Sequence, residues 1–290
     1  MRSEAEMFDL ILNTARADER VRAVILNGSR ANPNAPRDPF QDFDIVYLVT
    51  EVASFRQDHS WIDCFGERMI LQLPDEMVDP PPASDGSFAY LIQFADGNRI
   101  DLGLFPLAKL AELGQDSESI LLLDKDGILP PFPPASDRDY LPKPPSAKDY
   151  FDCCNEFWWV CPYVAKGLWR EELPYARVML DQIVRAQLMK MLTWYIGVQT
   201  QFAVSPGKMG KYFKRYLTPE VWAMLEGTYA DASYEHTWQA LEQMGVLFRM
   251  TAGAVAEHFG YEYPAGDDAR VSAHLKHVRR LPRDAKVIYD

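Results

Sequence analysis

Cysteine is scarce in this 290-residue chain, which carries Cys64, Cys153, Cys154 and Cys161. Three of the four fall within nine positions, and the adjacent pair fits no usual zinc spacing, so a zinc knuckle of standard pattern is excluded. Histidine is nearly as sparse. His59, His236 and His258 stand alone, and His274 and His277, three apart on an expected helix, have no third ligand at matching spacing. No histidine lies near a cysteine, and no Ser-His-Asp order stands out, which leaves covalent thiol or hydroxyl catalysis without a visible base. Uncharged apolar runs long enough to cross a bilayer are also missing; the longest candidate, near residue 180, is interrupted by Asp181, Arg185 and Lys190. Residues 1–9 already hold Arg2, Glu4, Glu6 and Asp9 instead of an apolar leader. A cytoplasmic protein with free thiols and no membrane partner is expected. Positive charge is in deficit too, with 30 Lys and Arg against 42 Asp and Glu, a net −12. That balance disfavours nucleic acid, whose binding requires cationic side chains on phosphates, and favours encounter with cationic ligands.

What the chain does have is a large apolar complement, 48% hydrophobic and 12% aromatic residues, enough for a real core, and a length that favours two domains. Met7, Leu10, Ile11 and Thr14 share one face of a helix over 4–16. Strands are expected over 22–26, 44–49 and 69–73, then on both sides of the Asp96-Gly97 hairpin turn, and over 120–123. Residues 129–145 are dense in proline, which fixes φ and removes donors, and they read as the connector. Beyond it, apolar positions from Ala176 to Ile196 recur at helical intervals, and further helices are expected over 219–230, 234–259 and 267–281. There is no tandem repeat. The layout is α+β: a mixed β-sheet domain with flanking helices over 1–145, followed by an all-helical bundle over 146–290.

The stretch from Asn27 to Val49, NGSRANPNAPRDPFQDFDIVYLV, carries the chemistry. A Gly-Ser pair closes one strand, and an Asp-x-Asp opens the next. Side chains alternate along a strand, so Asp42 and Asp44 point to one face and Phe43 to the other. Two like charges at the mouth of an apolar strand call for a cation, and hard carboxylate oxygens beside phosphate call for Mg²⁺. Gly28 lets a backbone approach phosphate closely, and Ser29 adds an N–H and a hydroxyl. Asp101, on the second arm of the hairpin and opposite in face to Ile100 and Leu102, is the expected third ligand; the alternative is an edge strand with Arg99 and Asp101 in water. Together these residues suit a triphosphate held at Gly28-Ser29 by metal, with two Mg²⁺ ions expected. A carboxylate base, Asp101 ahead of Glu156, would contribute about 10²–10⁴-fold.

This Gly-Ser and Asp-x-Asp pattern resembles the nucleotidyltransferase superfamily signature. The stretch YFDCCNEFWWVCPYVAKGLWREELPYARVMLD, with RAQLMKMLTWYIG, GKMGKYFKRYL and HVRRLPRDAK, resembles the aminoglycoside 6-adenylyltransferases, the streptomycin-modifying enzymes. That resemblance implies transfer of AMP from ATP to the 6-hydroxyl of streptomycin, a cationic aminoglycoside. Guanidinium groups are received by carboxylates and aromatic faces, so Glu156, Trp158, Trp159 and Tyr163 are expected acceptor-binding residues, although a run of aromatics equally suits a helix core. Ser29 and Arg30 are expected at the β- and γ-phosphates. Lys208 and Lys211, in a glycine-rich segment without P-loop spacing, either reach phosphates or start an exposed basic helix; Lys166 and Arg170 carry the same two alternatives. Oligomeric state is not legible.

Overall fold

Alternation of buried and part-exposed residues marks the strands over 88–94 and 99–104 at the heart of the N-terminal sheet, and runs of β-branched and apolar residues mark those over 21–27 and 43–49. In the computed structural model, which describes residues 1–79 and 86–289, six strands pair in the order β3-β4-β5-β2-β1-β6. They are β1 (Val21–Asn27), β2 (Phe43–Val49), β3 (Arg68–Gln72), β4 (Phe88–Phe94), β5 (Arg99–Pro106) and β6 (Ser119–Asp124). Only β2 and β5 run parallel; every other pairing is antiparallel. One face of the sheet buries Phe43, Ile45, Tyr47, Phe88, Tyr90, Ile92, Ile100, Leu102 and Leu104. Against this face packs α1 (Glu4–Ala17), started by a Ser3–Glu6 capping box and burying Met7, Ile11 and Ala15. The Tyr47 hydroxyl donates to the Ile11 carbonyl at 2.6 Å, tying helix to sheet from inside the core. A short helix, α2 (Ala53–Arg56), follows β2.

The chain divides into two units, Met1–Asp139 and Tyr140–Asp290. The second is helical throughout: α3 (Ala147–Trp169), α4 (Leu173–Val178), α5 (Arg185–Gln199), α6 (Phe213–Tyr216), α7 (Pro219–Glu226), α8 (Tyr234–Phe259) and α9 (Ala265–Arg280). Helix α3 is its axis, packed by α4, α5, α8 and α9. Phe157 of α3 stacks on Phe248 of α8 with ring centroids 3.8 Å apart, and Trp158 meets Phe248 edge-on.

Two helix expectations shift. The continuous helix read from residue 176 onward contains a π-helical segment, Met179–Val184, between α4 and α5. Asp181 lies within it and bonds both neighbours on its own face, Arg177 at 2.9 Å and Arg185 at 3.0 Å. The helix read over 219–230 stops at Glu226. Beyond it, Arg185 draws the chain away: its guanidinium donates to the Thr228 hydroxyl at 2.7 Å and carbonyl at 2.8 Å, and lies 3.9 Å from the Tyr229 ring centroid. Periodicity reads apolar faces and is blind to such a buried cation. The thiols of Cys153, Cys154 and Cys161 are buried, all four cysteines are unpaired, and burial pushes Cys153 and Cys154 up to about 12. No helix among the described residues is long and apolar enough to cross a membrane.

The Phe157–Phe248 stack predicts a steep cost for truncation. Phe157→Ala should destabilise the helical unit by about 3–5 kcal/mol, read from denaturant unfolding; a loss below about 1 kcal/mol would show that this stack is not central to the core.

Candidate active site

Because β2 and β5 are parallel neighbours, Asp44 lies directly opposite Asp101 in the register. Asp42 sits two residues earlier, just before β2, and so shares the face of Asp44. The three carboxylates each bring an oxygen to within 4.8 Å of the others. Phe43 between the aspartates turns the other way and is fully buried against Phe8 and the Arg30 guanidinium. Strand β5 lies inside the sheet, between β4 and β2, which removes the edge-strand alternative for Asp101. Arg99, on the same face as Asp101, donates to both of its oxygens at 2.7 and 2.6 Å and lies 3.9 Å from Asp42. The i, i+2 spacing of Arg99 and Asp101 already signalled this shared face, but not that the pair would meet in the cluster.

Asp44 is the carboxylate under most stress. Burial first, then the charges of Asp42 and Asp101, push its pKa up to about 7, against a partial counter-effect from Arg99. Among the described residues it makes no hydrogen bond or ion pair. Its Oδ2 fills the space that a Cβ on Gly28 would need: an atom built there would stand 2.3 Å away. Gly28 is also held at φ +72°. Glycine is therefore required at 28 twice over, for its backbone angle and for the Asp44 carboxylate, in addition to any approach of phosphate. An unpartnered, half-buried carboxylate flanked by two others is a donor set that suits a hard divalent cation.

The Gly-Ser turn is braced from two sides. Asn32 donates to Glu118 at 2.6 Å, Ser119 donates to Asn27 at 2.7 Å, and the Gly28 N–H donates to the Glu118 carbonyl at 2.9 Å. On the other side, Gln41 donates from its amide to the Ser29 carbonyl at 3.2 Å. Arg30 answers by donating to the Gln41 carbonyl at 2.7 Å and the Asp42 carbonyl at 2.9 Å. Arg30 was expected at a phosphate. Its side chain is buried, stacked 3.8 Å from the Phe43 centroid, with two of its nitrogens on backbone carbonyls and the third 3.5 Å from Glu4. It positions Asp42. Ser29 remains half-buried on the turn, beside the acidic cluster's strand. Gln41 and Glu118 were not singled out from the sequence, since an isolated Gln or Glu in a loop carries no pattern.

The remaining expected residues belong to the helical unit. Residues 156, 159 and 163 are three and four apart and line one stripe of α3, with Glu156 and Tyr163 half-buried and Trp159 exposed. Trp158 lies about 100° further round the helix and is sealed in the core, its indole N–H donating to the Tyr263 hydroxyl at 3.1 Å. It is a core residue. Glu156 makes no hydrogen bond or ion pair among the described residues. Tyr163 has a Lys166 ammonium 4.8 Å from its ring centroid. Lys208 and Lys211 are exposed in the turns between α5 and α6.

The raised Asp44 pKa fixes a pH dependence. An acid whose folded pKa lies above its unfolded value of 3.8 holds its proton more tightly when folded, so stability falls as pH rises from about 4 to about 7. Asp44→Asn should therefore raise the Tm in EDTA at pH 8 by at least about 2 °C, with the gain vanishing near pH 4. A lower Tm for the variant at pH 8 would contradict the stress assigned to this carboxylate.

Residues 1–278 match the family model described as streptomycin adenylyltransferase. Three proteins, each described as an aminoglycoside 6-adenylyltransferase, align along nearly their whole length. The Campylobacter jejuni protein is 45% identical over 92% of this chain and 93% of its own. The Bacillus subtilis protein is 42% identical over 92% of this chain and 95% of its own. The Staphylococcus aureus protein is 35% identical over 91% and 94%. With a mixed sheet presenting three clustered aspartates beside a Gly-Ser turn, followed by a helical unit, this chain belongs to the streptomycin adenylyltransferase family of nucleotidyltransferases.

Proposed function

We propose that the protein transfers AMP from ATP to the 6-hydroxyl of streptomycin and releases pyrophosphate. The observation that carries this reading is the convergence of Asp42, Asp44 and Asp101 at one end of two parallel strands, in a chain whose residues 1–278 match the family model. Asp42, Asp44 and Asp101 would hold Mg²⁺, which when bound supplies charge neutralisation at the α-phosphate and acidifies the attacking hydroxyl. Gly28 and Ser29 receive the triphosphate, with Lys208 and Lys211 as further cationic donors. Arg30 and Gln41 hold the turn and the strand mouth in register. Asp101 takes the proton of the acceptor hydroxyl. On α3, Glu156 and Trp159 receive the streptidine guanidinium groups, the carboxylate by paired hydrogen bonds and the indole by its face.

Two experiments test this. Purified protein with ATP, Mg²⁺ and a panel of aminocyclitols should release pyrophosphate with streptomycin well above the buffer rate. Asp44→Asn should lower that rate by at least about 10³-fold. Streptomycin giving no more pyrophosphate than buffer rejects the acceptor. For the acceptor contact, Glu156→Gln should raise the KM for streptomycin about 10- to 100-fold while leaving kcat nearly unchanged, as expected for loss of a charge-assisted hydrogen bond. A collapse of kcat instead would move the general-base role from Asp101 to Glu156.

A further inference from the structure

Where the segment after α9 folds back over α3, it roofs a pocket of about 370 Å³. This falls within the size range of ligand clefts. Its walls are apolar, chiefly Trp169, Val278 and Leu281. Its charged lining is cationic, Lys166, Arg170 and Lys286, beside the polar Tyr163 and His274. None of the three has a carboxylate partner among the described residues, although the chain as a whole carries a surplus of twelve negative charges. Glu171 is engaged by Arg283 at 3.4 Å, and Asp284, which precedes Ala285 in the chain, is not among the lining residues.

The roof is tied down, so the pocket is a built feature. Trp169 donates its indole N–H to the Leu281 carbonyl at 3.0 Å. His277 donates to the Ile288 carbonyl, and the Tyr289 ring stacks on His277 with centroids 4.5 Å apart. His274 hydrogen-bonds the Tyr289 hydroxyl at 2.7 Å. Three cations line one apolar cavity, in a chain where carboxylates to pair them are plentiful elsewhere. Arg170 and Lys286 are exposed and Lys166 is half-buried beside Tyr163 and Tyr175, so all three are placed to meet an anion entering the cavity, while its apolar body gains contact with Trp169 and the aliphatic wall.

We infer that the helical unit carries a second binding site, separate from the aspartate cluster, for a small organic anion with a flat apolar body, such as an aromatic carboxylate. The same lining is unsuited to a guanidinium, and this sets the pocket apart from the acceptor contacts assigned to Glu156 and Trp159. Tyr163, on its rim, faces Lys166 and belongs with the anion site.

The probe is 1-naphthoate, titrated calorimetrically into the full chain, with uncharged 1-naphthylmethanol as the control. The expected result is saturable one-to-one binding of the carboxylate and at least about tenfold weaker binding of the alcohol. Joint Arg170→Glu and Lys286→Glu substitution should weaken naphthoate at least about tenfold, with the circular dichroism spectrum unchanged. If that variant does not fold, Lys166→Met is titrated in its place and should lose affinity in the same direction. Absence of saturable binding, equal binding of the alcohol, or full affinity in a folded charge-altered variant would each overturn the inference.

Discussion

The parallel pairing of β2 with β5 is the constraint on which the site depends. In an antiparallel pair, a strand's neighbour runs the other way and its successive residues drift off in the opposite direction. Here the two strands run together, with Phe43 opposite Ile100 and Asp44 opposite Asp101, so acids at equivalent heights face one another at the same end of the sheet. The core side of those strands is fully committed to Phe43, Ile45, Ile100 and Leu102, which prevents either strand from slipping by one residue without burying its acids. Packing on one face thus fixes electrostatics on the other.

The same economy recurs in the Gly-Ser turn. Asp44 and Gly28 occupy one volume between them, and Arg30, Gln41 and Asp42 are held by reciprocal hydrogen bonds. The turn and the strand mouth, a dozen residues apart in sequence, behave as one piece. Side chains that look like ligand contacts because they are charged and near the motif can instead be its scaffolding. Arg30, which reads as a phosphate contact because it is a cation next to Ser29, has its guanidinium stacked on Phe43, bound to main-chain carbonyls and 3.5 Å from Glu4.

Much of this was legible in the residues. The strand–turn–strand reading of residues 22–49, the shared face of Asp42 and Asp44, and the choice of Asp101 follow from a period of two and from the cost of an unpaired buried charge. The helical texture of the second half follows from its period of 3.6. Other features lay outside what pattern can carry. The parallel partnership of β2 and β5 joins residues 57 positions apart (44 to 101), and no local rule announces it. Trp158 and Trp159 are chemically identical neighbours, and only a knowledge of which side of α3 meets α8 tells core from surface. The π-helical segment and the early end of α7 depend on where Arg185 finds its partners, which is a tertiary fact.

The long excursion between β2 and β5 also has a meaning for how the protein comes into being on the ribosome. The strand bearing Asp42 and Asp44 emerges early, but its parallel neighbour cannot pair until β4 and the hairpin turn at Asp96-Gly97 have been made. A nascent chain halted before β5 exposes two aspartates with no third, and so lacks the full donor set for a divalent ion. Bringing together residues 57 positions apart (44 to 101) carries a loop-closure entropy that a local hairpin does not. The set of three carboxylates is therefore complete only once β5 has joined β2, whatever the state of β6 at the far edge of the sheet.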